Sequence, residues 1–307
     1  MNILVTLNEK YIRPLFVMLD SLYAQGPEPV DLYLLYSDVS EESRGQLQRY
    51  MAEHGGRFFP IFVDGTAFRD APVFGYFPKE MYYRFLCGAL LPETEERVLY
   101  LDPDILIRGD ISPLYEMDFQ GKALVGIADH AVNHMLSDKK AAIGLPESYD
   151  YVNSGVLLFN LEKMRADFSL DRFIGLLEEY RDRTSYPDQD VMNLYFQEDF
   201  LLAPRIYNFN TGYGTAWNLL LFVLKLRHDK EDPVIVHYMG KLKPWQLEYY
   251  GKYFKEYYRY LKKRLSKEER RRFRLRLYYV ARRIWRDRKR RLPRLRRSAE
   301  GRQDECT

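Results

Sequence analysis

Two cysteines in 307 residues, Cys87 in an apolar stretch and Cys306 near a polar end, provide no disulfide framework, so a reducing compartment is expected. Long apolar runs are also missing. The longest, Leu219 to Leu224, falls far short of the roughly 20 residues that span a bilayer. Met1 leads directly into Ile3-Leu4-Val5 with no basic stretch before it, so no secretory leader is expected and a cytoplasmic location is. No glycine occurs in Asn8-Glu9-Lys10-Tyr11, just after that apolar run, so a glycine-rich phosphate loop is lacking there. No internal repeat is visible. Tyrosine is plentiful, with 26 copies, and suits clefts that pack a ring on sugar C–H groups while its hydroxyl bonds to sugar hydroxyls. A hydrophobic fraction of 46% allows a sizeable core without staples.

The net charge of +3 hides a division. Lys252 to Arg297 holds 22 basic and 4 acidic residues, a net of +18, while the remainder holds 25 basic and 40 acidic, a net of −15. That step places a boundary near residue 250, between a body of residues 1–250 and a basic tail of residues 251–307. The body alternates strand and helix patterns. Strands are expected at Asn2–Leu7, Val30–Tyr36, Arg57–Val63 and Arg97–Leu101, with helices at Tyr11–Tyr23, Glu41–His54 and Lys79–Leu90. Later strands are expected at Val152–Asn160 and Val234–Tyr238, and a helix at Ser169–Arg181. This order predicts an α/β fold with a mainly parallel, doubly wound sheet and helices on both faces.

The run Val98-Leu99-Tyr100-Leu101-Asp102-Pro103-Asp104 puts two aspartates at the end of an apolar strand. In extended chain, residues two apart project to one side, so both carboxylates can meet at one spot. Ligands of open α/β sheets bind at the carboxyl ends of strands. Convergent carboxylates are hard oxygen ligands for Mg²⁺ or Mn²⁺ beside substrate phosphates. A bare Asp-x-Asp arises by chance in a chain of this length, and Asp188-Gln189-Asp190 is another. From pattern alone, a metal site and a turn or helix-cap pair remain open.

Together with Tyr82-Tyr83-Arg84-Phe85, that run resembles glycosyltransferase family 8, which includes bacterial lipopolysaccharide galactosyl- and glucosyltransferases, glycogenin and general stress protein A-like enzymes. Thr6-Leu7-Asn8-Glu9-Lys10-Tyr11 is similar to its nucleotide-binding first loop, and Tyr151-Val152-Asn153-Ser154-Gly155-Val156 to its sugar-binding segment. His237-Tyr238-Met239-Gly240-Lys241-Leu242-Lys243-Pro244-Trp245 is similar to its closing motif. The resemblance implies a GT-A fold, a UDP-sugar donor such as UDP-glucose or UDP-galactose, and retention of anomeric configuration. Asp102, Asp104 and His237 would be metal ligands, and the imidazole favours Mn²⁺ over Mg²⁺. Thr6, Asn8 and Tyr11 would bind the UDP-sugar, Asn8 and Tyr11 at the uridine, with Tyr11 stacking on the base. The family often has an acidic residue where Asn8 stands, and Asn still offers uracil an acceptor. Gly240 and Lys243 would serve the diphosphate, glycine by close approach and lysine by charge. Arg84, Asp129, Asn153 and Asp188 match positions that contact the donor sugar, and Gln189 matches the residue near the reacting carbon. A neutral amide is a poor nucleophile, so a same-face attack by the acceptor beside the departing UDP is expected.

In the tail, Phe254, Tyr257, Tyr258, Leu261 and Leu265 recur at helical spacing. Phe273, Leu277, Val280, Ala281 and Ile284 do so again, with Tyr278, Tyr279 and Trp285 among arginines. Such helices lie in anionic membrane interfaces, so a peripheral place on the inner face of the cell membrane is expected and no nucleic acid, with packing of the first helix on the body and a solvated end as the alternatives. A glycan or glycolipid acceptor is what the family resemblance implies. Two rivals are a sugar nucleotidyltransferase, disfavoured by the missing glycine loop, and a non-catalytic membrane-associated nucleotide-sugar-binding protein, disfavoured by the complete ligand set.

Overall fold

The computed structural model describes residues 1–69, 71, 79–211, 232–249, 251–276, 278, 279 and 282. It divides into two compact units, Met1–Asn210 with Glu231–His237 and Thr211–Lys230 with Tyr238–Thr307.

The strands of the first unit are β1 (Asn2–Thr6), β2 (Asp31–Tyr36), β3 (Arg57–Phe62), β4 (Arg97–Leu101), β5 (Ile105–Ile107), β6 (Leu124–Ala128), β7 (Val152–Asn160), β8 (Phe200–Leu202), β9 (Phe209–Asn210) and β10 (Ile235–His237). Seven form one sheet in the order β3-β2-β1-β4-β7-β6-β8. β7 runs antiparallel to both its neighbours, and the other pairings are parallel. The expected mainly parallel sheet is present. Of its central strands, β1 is buried along its whole length and β7 at all but its last residue, as strands covered on both faces must be. One core joins Ile3, Val5 and Leu99 to Leu15, Leu19 and Leu47. A second joins Leu4, Tyr100 and Leu157 to Tyr82, Phe85 and Met192, and a smaller one gathers Val132, Ile143, Leu145 and Tyr151. Each buried Leu, Ile or Phe side chain contributes about 1.5–3 kcal/mol.

Helix α1 (Ile12–Tyr23) follows a 3-10 turn, Glu9–Tyr11, and tolerates Pro14 because its first turn needs no amide donor. Helix α2 (Glu41–Glu53) is capped by Ser40, whose side chain accepts from Ser43 N at 3.2 Å. Lys79–Leu86 is a 3-10 segment rather than the expected α-helix, and α3 is only Cys87–Leu90. Glu80 to Phe85 are all buried, so the segment has none of the polar face of an amphipathic α-helix. Helix α4 is Ser112–Tyr115, α5 His130–His134, α6 Ser137–Ala142, α7 Leu161–Asp167, α8 Leu170–Glu179 and α9 Pro187–Tyr195.

A second sheet, β5-β10-β9, was not expected. Its short strands pair residues far apart in sequence, His237 with Ile105 and with Asn210. The aspartate pair also differs from expectation. Asp102 follows β4, and Pro103-Asp104 forms a turn into β5, so a turn rather than extended chain brings the carboxylates together.

In the second unit, the expected tail helix ends at Leu261 and a new one, Lys267–Arg274, starts at a capping box of Ser266 and Glu269. Leu265 is buried but extended between them. Phe254 packs on Phe273, and Tyr257 on Tyr238 and Trp245. The apolar faces are therefore occupied inside this unit. Leu277, Val280, Ala281, Ile284 and Trp285 lie outside the described residues. Among the described residues, no helix is long and apolar enough to cross a membrane.

Candidate functional site

Strand order reverses between β1 and β4, a place where open α/β sheets bind ligands at the carboxyl ends of strands. Thr6 ends β1, Asp102 follows β4 and Asp129 follows β6. Because β7 is antiparallel, its beginning lies on this same edge. Ile127 pairs with Asn153, whereas Gly126 pairs with Leu157. This break in register leaves residues 154–156 unmatched by β6, a bulge of the kind that re-aims side chains beside sites.

Asp102, Asp104 and His237 converge. His237 Nε2 lies 3.5 Å from Asp102 Oδ2 and 3.2 Å from Asp104 Oδ1, and one ligand atom from each residue falls within 4.8 Å of the others. β10 pairs with β5 so that His237 faces Ile105, the neighbour of Asp104. Burial pushes the His237 imidazole down, but the charges and hydrogen bonds of Asp104 and Asp102 outweigh it and raise its pKa to about 9. Burial raises the Asp102 carboxyl, yet Arg84 and His237 hold it below the ordinary value. Two carboxylates and an imidazole suit a divalent transition metal. Gly155 keeps the space clear: a Cβ there would lie 2.2 Å from His237 Cε1 and 2.7 Å from Asp102 Oδ2. Asp102 N donates to Gly155 O at 2.9 Å, which holds the two strands at this distance.

Arg84 lies buried beneath this group. Its guanidinium is 3.4 Å from Asp188 and 3.7 Å from Asp102, and it sits 4.3 Å from the centre of the Tyr100 ring. It also donates to Met81 O at 2.6 Å and to Ser154 O. Tyr100 Oη donates to Asp102 Oδ1 at 2.5 Å and lies 3.3 Å from Thr6 Oγ1. Asp188 accepts from Ser154 Oγ at 3.0 Å; burial raises its pKa against the pull of Arg84.

Asp129, Asn153 and Gln189 form one buried network. Asn153 Nδ2 donates to Asp129 Oδ2 at 3.1 Å and to Gln189 Oε1 at 2.8 Å. Gln189 Oε1 also accepts from Ser154 N at 3.1 Å, and Gln189 Nε2 lies 3.4 Å from Asp129 Oδ2. Asp129 caps α5 through Ala131 N and Val132 N. The second Asp-x-Asp behaves differently from the first. On helix α9, residues two apart point to different faces. Asp188 turns to Arg84, while Asp190 accepts from Tyr151 Oη and from the amides of Ser185 and Tyr186.

Asn8 caps the 3-10 turn by accepting from Lys10 N at 3.3 Å, and Tyr11 packs part-buried against the first core. In the second unit, Gly240 takes a left-handed φ of 91°, and Lys243 Nζ donates to Tyr238 O at 3.0 Å. Several contributors were invisible in sequence. Tyr100 reads as a core strand residue, Ser154 and Gly155 stand out only as parts of a motif, and Asn208 sits in an irregular stretch with no pattern.

A family profile described as Glycosyl transferase family 8 matches residues 2–248. Glycosyltransferase GlyF of Streptococcus pneumoniae is 27% identical over 244 residues, covering 80% of this chain and 57% of GlyF. Lipopolysaccharide 1,2-glucosyltransferase of Escherichia coli K12 is 27% identical over 224 residues, covering 70% of this chain and 64% of that protein. The chain thus spans about three fifths of these relatives. Among solved structures, galactosyltransferase LgtC in complex with donor and acceptor sugar analogues superposes with a TM-score of 0.76 at 24% identity, covering 89% of this chain and all of that one. An active-site mutant of LgtC, glutamine replaced by glutamate, superposes with a TM-score of 0.75 at 25% identity over the same shares. The likeness establishes the GT-A fold.

Proposed function

The chain belongs to glycosyltransferase family 8, and from that membership we propose that it transfers glucose or galactose from a UDP-sugar to a cell-surface glycan or lipid-linked acceptor, with retention of configuration. The observation that carries this reading is the meeting of Asp102, Asp104 and His237 over Gly155, the residue whose missing Cβ keeps them together. These three residues would hold a divalent cation, Mn²⁺ before Mg²⁺. When bound, the cation supplies positive charge to the UDP leaving group. LgtC, solved with donor and acceptor sugar analogues, supports a sugar-transfer role for this fold.

The chain's own residues do the rest. Arg84, pinned by Ser154 and Asp188, presents fixed positive charge beside Asp102. Asn8 and Tyr11 take the uridine, and Gly240 and Lys243 take the diphosphate, as the family motifs assign them. Asp129, Asn153 and Asp188 bind sugar hydroxyls with paired hydrogen bonds. Gln189 is held by Asn153 and Ser154 with its carbonyl oxygen already engaged, which suits an orienting group rather than an attacking one. LgtC likewise has an active-site glutamine, the residue replaced in its mutant. The acceptor hydroxyl attacks on the face that UDP leaves, forming its bond to the anomeric carbon as the bond from that carbon to the UDP phosphate oxygen breaks. The departing phosphate takes the hydroxyl proton.

A panel of UDP-sugars incubated with the protein and Mn²⁺, without acceptor, tests this. The expected result is hydrolysis of UDP-glucose or UDP-galactose that stops with EDTA and yields the retained anomer by NMR. No turnover and no binding of any UDP-sugar contradicts it.

A further inference from the structure

We propose that Asn208 is a positioning residue that turns the Nε2 atom of His237 toward Asp102 and Asp104 and joins the metal end of the site to its sugar end. The inference rests on the metal reading above and adds a residue that neither the motifs nor the family resemblance point to. Asn208 is buried between a 3-10 turn, Arg205–Tyr207, and β9, whose pairing with β10 sets it beside His237. His237 Nδ1 lies 2.9 Å from Asn208 Oδ1, and Asn208 Nδ2 lies 2.8 Å from Asn153 Oδ1.

An amide can point either way, and an imidazole can carry its proton on either nitrogen, so the contacts alone do not set the polarity of this chain. Groups at its far end do. The amides of Ser154 and Gly155 can only donate. Ser154 N donates to Gln189 and Gly155 N donates to Asn153 at 3.0 Å, so both contacted side-chain atoms are oxygens. A carboxylate can only accept, so the Asn153 and Gln189 atoms facing Asp129 are nitrogens, in agreement. With Asn153 Oδ1 fixed, the Asn208 atom facing it is Nδ2. Asn208 Oδ1 then faces His237, and Nδ1 must carry the hydrogen. Nε2 is left as the ligand atom, which is the atom aimed at both aspartates. The path His237–Asn208–Asn153–Gln189 is thus one directed line of hydrogen bonds from cation site to sugar site. A ligating histidine is oriented by the acceptor on its other nitrogen, and loss of such a partner weakens metal binding roughly 10–100-fold.

The test is Mn²⁺ binding to metal-stripped full-length protein, read by the EPR signal of free Mn²⁺, with kcat and KM for UDP-sugar hydrolysis. Asn208→Ala should weaken Mn²⁺ binding roughly 10–100-fold. Asn208→Asp keeps an acceptor for His237 but sets an oxygen against Asn153 Oδ1. It should bind Mn²⁺ as well as wild type while kcat falls roughly tenfold or more, because Asn153 and Gln189 lose their register. If the alanine variant lacks cooperative unfolding, Asn208→Ser, too short to reach both partners, should show the same weakened binding. Wild-type affinity in Asn208→Ala, or in Asn208→Ser in its place, overturns the inference, as does equal loss of binding in the aspartate variant. A wild-type protein that binds no Mn²⁺ overturns the metal reading itself.

Discussion

A methyl group on residue 155 would meet His237 Cε1 and Asp102 Oδ2 well inside van der Waals contact. His237 is fixed by Asn208 and Asp102 by Tyr100, so neither side chain can step aside without breaking a hydrogen bond. Gly155→Ala should therefore cut UDP-sugar hydrolysis on the order of a hundredfold, since misplacement by about 1 Å has that cost. Steady-state kinetics on the purified variant decide it, and unchanged kcat would show that Gly155 is packing alone. His237 sets a pH dependence. Without metal its folded pKa is about 9, above the ordinary 6.5, so protonation favours the folded state. That stability is fully present below pH 6.5 and lost as pH rises through 9. The EDTA-treated protein should melt at falling temperature across this window, with a smaller fall in His237→Gln. Metal must displace the Nε2 proton, so Mn²⁺ affinity should rise over the same range. Equal melting profiles for the two proteins would contradict the assignment.

Helix α9 and strand β7 carry Gln189 and Asn153, and Asn193 clamps them together. Its Oδ1 accepts from Val152 N at 2.7 Å, and its Nδ2 donates to Val152 O and Gln189 O at 2.8 Å each. It acts as a strand partner where β7 meets the bulge. Asn193→Ala strands buried backbone groups that each cost about 1–3 kcal/mol. Urea unfolding should show a loss of about 2–5 kcal/mol, with kcat lowered as well; a change under 1 kcal/mol would mean that water or another group replaces the clamp. At this scale the long elements could be read from sequence, because β1, β2, α1 and α2 carry their own periodicity. Sheet β5-β10-β9 could not, although a strand was expected at Val234–Tyr238, since triplets such as Ile105–Ile107 carry no sign of a partner over a hundred residues away. The site divides in the same way. Asp102 and Asp104 were legible at a strand end, although a turn and not an extended strand unites them. Asn208 and Asn193 act through contacts that no local spacing encodes.

At the scale of the molecule, charge is the dominant asymmetry: a segment of net +18 stands against a net of −15 in the remainder of the chain. Phe254, Tyr257, Leu261 and Phe273 of the described tail helices are used in packing, while cations such as Lys262, Lys263, Arg271 and Arg274 are exposed, with Leu275 and Tyr278 beyond them. If this segment docks on anionic lipid, each cation contributes about 1 kcal/mol. Flotation should recover the protein with phosphatidylserine vesicles and not with neutral ones, less so as salt rises. Alanine at those four cationic positions should lower recovery sharply, and equal recovery with neutral vesicles would dismiss electrostatic docking. The central claim remains the cation centre beneath a UDP-sugar, and a titration of Mn²⁺ with UDP present tests it most directly. The account predicts one ion per wild-type chain, tightened by UDP, with binding lost in Asp102→Ala and Asp104→Ala. Wild-type Mn²⁺ binding in both variants would contradict it.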